Sequence, residues 1–151
     1  MKTLILGLGN PIRGDDAIGW VAAEKVYERV KAPGLFLDLA SVGGVYLLDL
    51  LVGYNRALIV DAAETGEHET GTLFRVEVGK GDSKSSFCTM HQIDIFQALD
   101  LGMKLKLDMP ETINFYGIEV ENCQNYSEEL SPHVKTAIPE IVNQICSEEF
   151  G

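Results

Sequence analysis

Apolar residues in this chain fall into short continuous runs separated by longer amphipathic stretches. Thr3–Leu8 is an apolar run ended by glycine, the pattern of a strand covered on both faces. Over residues 17–30, Ile18, Val21, Ala22 and Val26 recur at helical spacing, and Pro33 and Gly34 follow. Residues 35–39 form a second apolar run. Residues 41–44 make a small-residue turn, and 45–52 predict a short helix closed by Gly53. Residues 56–60 are the third run, with Asp61 at its end and a polar loop predicted over 62–71. Residues 72–78 alternate and predict an edge strand. Residues 79–86 (GKGDSKSS) are the most loop-like segment. A helix is predicted over 91–101 and a last strand over 112–120. Ser131 and Pro132 open a final helix as N-cap and first helical residue, with Ile138, Ile141, Val142 and Ile145 on its apolar face. Pro139 is expected to kink it.

Strands alternating with helices predict an α/β fold: a three-layer arrangement of a twisted, mostly parallel sheet with helices on both faces. The 151 residues fit a single domain, 1–151, with no internal repeat or low-complexity segment. In such sheets ligands bind at the carboxyl ends of the strands. Asp15 and Asp16 follow the first strand, Asp61 ends the third, and His91 precedes a helix after the fourth. Two carboxylates and an imidazole suit a borderline-hard metal with open positions for water or substrate. Each has a simpler role available. Asp15 or Asp16 can cap the helix that follows, Asp61 can close a turn, and His91 can begin its helix with a satisfied ring.

Composition narrows the partners. Twelve basic and 23 acidic residues give a formal charge of -11, which argues against nucleic acid and anionic membrane. No apolar run reaches membrane-spanning length. Lys2 leads directly into the first strand, so no targeting segment is expected. The three cysteines are odd in number and widely spaced, which predicts no disulfide framework and a cytoplasmic setting. Cys88 and His91 form C-x-x-H, yet no second such pair exists to complete a structural zinc site. Cys123 and Cys146 read as small apolar residues. The glycine turn GLGNPIRG is neither the dinucleotide pattern, because Ile12 stands where its third glycine is needed, nor a phosphate-binding loop with its lysine.

GLGNP resembles the opening of bacterial peptidyl-tRNA hydrolases, but the histidine that serves those enzymes as base has no counterpart here. The longer string Gly7-Leu8-Gly9-Asn10, Asp15-Asp16 and Gly19 resembles the hydrogenase maturation endopeptidases. The similarity continues at Asp61 after Leu58-Ile59-Val60, at His91 in M-H-Q-I, at Gly117-Ile118-Glu119 and at residues 131–134. It implies a protease that removes the carboxy-terminal extension of a nickel-loaded [NiFe] hydrogenase large-subunit precursor. Asp16, Asp61 and His91 are then metal contacts and catalytic residues, the nickel arrives with the substrate, and a monomer is expected. Two segments depart from the family pattern. Residues 39–44 lack its aspartate and G-G-T, which bears on precursor choice, and Val120 replaces a proline. The same residues would also serve a binding module that checks nickel without cutting.

Overall fold

The computed structural model describes residues 1–41, 46–76, 92–121, 123 and 126–151. Five strands form one sheet: β1 (Thr3–Leu8), β2 (Leu35–Ala40), β3 (Arg56–Ala63), β4 (Leu73–Val76) and β5 (Thr112–Glu119). Their order is β2-β1-β3-β5-β4, parallel throughout except for β4, which runs antiparallel along β5 at one edge. Among the described residues four α-helices cover it: α1 (Ile18–Val30), α2 (Tyr46–Leu51), α3 (Gln92–Lys104) and α4 (Pro132–Phe150).

Side chains on a strand alternate between faces, and the two cores follow that period of two. Ile5, Leu58, Val60, Tyr116 and Ile118 pack with Ile18, Ala22 and Val26 of α1 and Val134, Ile141 and Ile145 of α4. The intervening Leu4, Leu6, Leu8, Ala57, Ile59, Ala63 and Phe115 pack with Leu47 and Leu51 of α2 and Leu99 of α3. Because both faces are buried, the central strands read as unbroken apolar runs. Asp61 alternates with Ile59 and Ala63, which places it on the face shared with α2 and α3.

Several boundaries move from their predicted positions. β3 continues through Ala63, so Asp61 lies inside the strand: Ala62 and Ala63 are fully buried and pair with Ile118 and Glu119. α3 runs on to Lys104. α4 continues past Pro139 to Phe150. Ser131 sits at the N-cap position with an extended backbone, yet its side chain makes no cap bond; its hydroxyl is used elsewhere. Cys123, 2% exposed, is disulfide-bonded, where the sequence reads it as an ordinary small apolar residue; Cys146 is a free thiol. Residues 79–86, His91 and Cys88 lie outside the described residues. Among the described residues no helix is long and apolar enough to cross a membrane.

The far end of the sheet is closed by the last turn of α4. Glu149 accepts from Arg56 at 3.1 Å and from the Asn114 amide, and Tyr116 donates to Glu148 at 2.9 Å. Burial, then the bond to Glu148, pushes the Tyr116 phenol well above its ordinary value. A group whose folded pKa is raised contributes stability that is full below its unfolded value of about 10 and is lost as pH climbs beyond it. Tyr116→Phe is therefore expected to cost about 1–2 kcal/mol at pH 7 and to flatten the loss of stability between pH 9 and 11. Urea unfolding at those pH values measures both effects.

Candidate active site at the carboxyl edge

The edge formed by the ends of β1 and β3 is built around close main-chain approach. A 3-10 turn, Gly14–Ala17, joins β1 to α1 and carries Asp15 and Asp16, each 1% exposed. A side-chain carbon on Gly9 would fall 2.1 Å from the carbonyl oxygen of Asp16. One on Gly19 would fall 2.2 Å from the Leu8 oxygen, 2.6 Å from the Val60 oxygen and 3.3 Å from Asp61 Cα. One on Gly7 would meet the Gly19 oxygen at 2.7 Å. The glycines thus let the 3-10 turn and the first turn of α1 lie flush against β1 and β3. Asp16 stands one turn before the residue that touches Asp61.

Asp61 is fully buried, and its Oδ1 accepts the Ala62 amide at 2.8 Å. Neither aspartate of the 3-10 turn caps α1, since Arg13 and Ala17 occupy the two N-cap positions without side-chain cap bonds. Helix capping is therefore not the role of either residue here. Asp15 has a different partner. Its two oxygens accept the backbone amide of Ser131 at 2.6 Å and the Ser131 hydroxyl at 2.8 Å. Of the two adjacent carboxylates, Asp15 is thus tied to the start of α4. His91, the third predicted contact, lies outside the described residues; Asp16 and Asp61 are both buried, in a 3-10 turn and a strand that touch at this edge. Among the described residues no group of three or more His, Cys, Asp or Glu side chains is disposed to hold a metal.

Residues that sequence reasoning left without a role brace this edge. The Ser41 hydroxyl donates to the Gly9 carbonyl at 2.6 Å, and the Trp20 indole to Ala40 at 3.1 Å, so the end of β2 is tied to the glycine turn. The departure from the family pattern at Ser41 thus has a local use. On the other side, buried Glu119 accepts from the amides of Thr65 at 2.9 Å and Gly66 at 3.2 Å and from the Thr65 hydroxyl, holding the loop that leaves β3. Glu64 accepts the Cys123 amide at 2.9 Å. Gly117, beside Asp61 and Phe74 in the sheet register, has no side chain because the Phe74 ring fills its place, 2.3 Å from where a Cβ would stand. The His68 ring stacks on Phe74 with centroids 4.5 Å apart. Glu119→Ala strands three donors and is expected to destabilise by about 3 kcal/mol, while Glu119→Gln, which keeps an acceptor, loses about half of that. Thermal melts of the two variants separate these values.

A mostly parallel sheet between two helical layers, with buried carboxylates at the carboxyl edge of its central strands, defines an open α/β enzyme domain whose chemistry belongs at that edge. The family model described as hydrogenase maturation protease matches residues 21–148. This chain belongs to the hydrogenase maturation protease family, and is thus an endopeptidase. Solved structures agree on the fold. The hydrogenase maturating endopeptidase HybD from Escherichia coli is 20% identical with a TM-score of 0.73, covering 98% of this chain and 91% of its own. The [NiFe] hydrogenase maturation protease HybD from Thermococcus kodakarensis is 24% identical with a TM-score of 0.71, covering 99% of both chains. The endopeptidase HycI from Escherichia coli is 20% identical with a TM-score of 0.72, covering 99% and 92%. No curated protein sequence matches the chain. Family membership displaces the tRNA-hydrolase reading.

Proposed function

We propose that this protease removes the carboxy-terminal extension of a nickel-loaded [NiFe] hydrogenase large-subunit precursor, and that Asp16, Asp61 and His91 contact the nickel the precursor carries. The observation that supports it most is that Asp16 and Asp61, which come from separate elements, are both buried at the carboxyl edge of the sheet, with neither aspartate of the 3-10 turn capping α1. Carboxylate and imidazole suit nickel as ligands. When bound, the metal supplies Lewis-acid polarisation of the scissile carbonyl or a water of lowered pKa. The same carboxylates can instead take the proton of the attacking water as general base. In either case water adds to the carbonyl carbon, the C–N bond breaks, and the proton passes to the departing amine.

Purified protein mixed with nickel-loaded precursor should yield a shortened product, and nickel-free precursor should not. Asp16→Asn and His91→Ala should each abolish the product while leaving the circular dichroism spectrum intact. Stable binding without a shortened product would replace this reading with a non-cutting nickel-checking module. The cytoplasmic setting and the monomeric working unit belong to the same proposal. Thiol titration of freshly purified protein tests the cytoplasmic setting, since a reducing compartment keeps cysteines as thiols.

A further inference from the structure

We propose that Asp15 is the positioning residue of this site: by holding the start of α4, its carboxylate fixes the 3-10 turn and so aims Asp16. The inference rests on the reading of Asp16 as a nickel contact. Asp15 is 1% exposed, and both of its oxygens are taken by one residue that lies 116 positions away. Ser131 is the N-cap of α4, where the backbone amide has no partner within the helix. In a capping box the side chain at the third helical position reaches back to that amide. Here that position is Val134, a core residue with no acceptor, and Asp15 supplies one from across the structure.

The contact does not act alone. Residues 127–131 run as a strap along the 3-10 turn: the Ser127 amide donates to Ile12 at 2.8 Å, the Gly14 amide donates to Ser127 at 2.7 Å, and Arg13 pairs with Ser127 as a parallel bridge. Asp15 ties off the strap where it becomes helix. The 3-10 turn has no side-chain cap of its own, and four residues are too few to persist without external support. Its shape comes from Gly9 beneath it and from the strap and Asp15 at its side. Releasing the Asp15 contact frees the turn to shift relative to Asp61, and with it the Asp16 carboxylate.

The experiment compares Asp15→Ala, Asp15→Asn and Ser131→Ala in the full chain. It reads cleavage of nickel-loaded precursor at saturation and amide hydrogen exchange at Gly14 and Asp16. Asp15→Ala should slow cleavage by about 100-fold, the scale of a displacement near 1 Å of a reacting group. Asp15→Asn keeps an oxygen for the Ser131 amide and should stay within about tenfold of wild type, the scale of one altered hydrogen bond. Ser131→Ala should fall between them, and combining it with Asp15→Ala should add nothing further. Exchange at Gly14 and Asp16 should quicken in the same order, at temperatures well below each melting point. Asp15→Asn as inactive as Asp15→Ala would overturn the proposal, because Asp15 would then act through its charge. Wild-type cleavage and exchange in Asp15→Ala would overturn it too. If Asp15→Ala does not fold, Ser131→Ala decides: slower cleavage with quicker exchange supports the linkage, and wild-type values for both reject it. If wild-type protein cuts nothing, the proposed function fails, and the exchange data still judge the Asp15 contact alone.

Discussion

Alanine at Gly19 is expected to abolish precursor processing and to lower the melting temperature by roughly 5–10 °C. The added carbon would lie 2.2 Å from the Leu8 oxygen and 2.6 Å from the Val60 oxygen. Both are main-chain atoms of central strands, so no flexible side chain can swing aside. α1 must lift from the sheet, and overpacking of this kind costs about 1–3 kcal/mol or more. The gain in helix propensity from glycine to alanine, about 1 kcal/mol, offsets only part of it. The lift also carries Asp16 away from Asp61. Gly9→Ala attacks the same approach from beneath, with its carbon 2.1 Å from the Asp16 oxygen, and should lose a similar share of activity, at least about 100-fold. Gly53 and Gly66 are the controls. Their φ values are +94° and +73°, and a Cβ there meets nothing within 4 Å. Alanine at either position should cost only the left-handed backbone, about 1–2 kcal/mol, with processing unchanged. Thermal melts and cleavage assays on the four variants test the contrast. Wild-type melting and activity in Gly19→Ala would refute the close approach of α1 to β3.

The glycine spacing was visible in the chain, but its purpose was not. Read along one strand, Gly7 and Gly9 suggest a bend. In the structure they and Gly19 are the places where two layers touch, which depends on a helix that one strand's sequence does not reveal. The layered α/β order was legible because strands buried on both faces leave continuous apolar runs. The end of β3 was not, because Ala62 and Ala63 lead into Glu64-Thr65-Gly66 and resemble the start of a loop. Pairing with β5 extends the strand, and such pairing is non-local. Asp16 and Asp61 follow as candidates from the rule that ligands gather at strand ends, which needs only the order of elements, and the structure buries both at that edge. The resemblance alone separates Asp16 from Asp15, because the two are neighbours of identical chemistry; the partner of Asp15, Ser131, lies far away in sequence. The sequence places Ser131 at the N-cap but not the use of its hydroxyl, which donates to Asp15, since an acceptor arriving from another element leaves no local trace.

Asp61→Asn should leave the fold within about 1 kcal/mol of wild type while cutting processing by about 1,000-fold. The two carboxyl-type side chains have the same shape, and the amide oxygen of asparagine can still accept the Ala62 amide that Oδ1 accepts at 2.8 Å. What disappears is a formal negative charge at a position with no exposure to solvent. If Asp16 and Asp61 both meet a substrate-borne nickel, as proposed, their burial at one edge places them where its positive charge arrives. Asp16→Asn should behave in the same way, stable and inactive, whereas Asp15→Asn should be stable and active. Three neighbouring acids then give two outcomes under the same substitution, and that difference separates groups that meet the substrate from one that only holds the scaffold. Urea unfolding alongside the cleavage assay provides both readings. A well-folded Asp61→Asn protein that trims the precursor at the wild-type rate would remove Asp61 from the chemistry and leave its buried charge without a purpose.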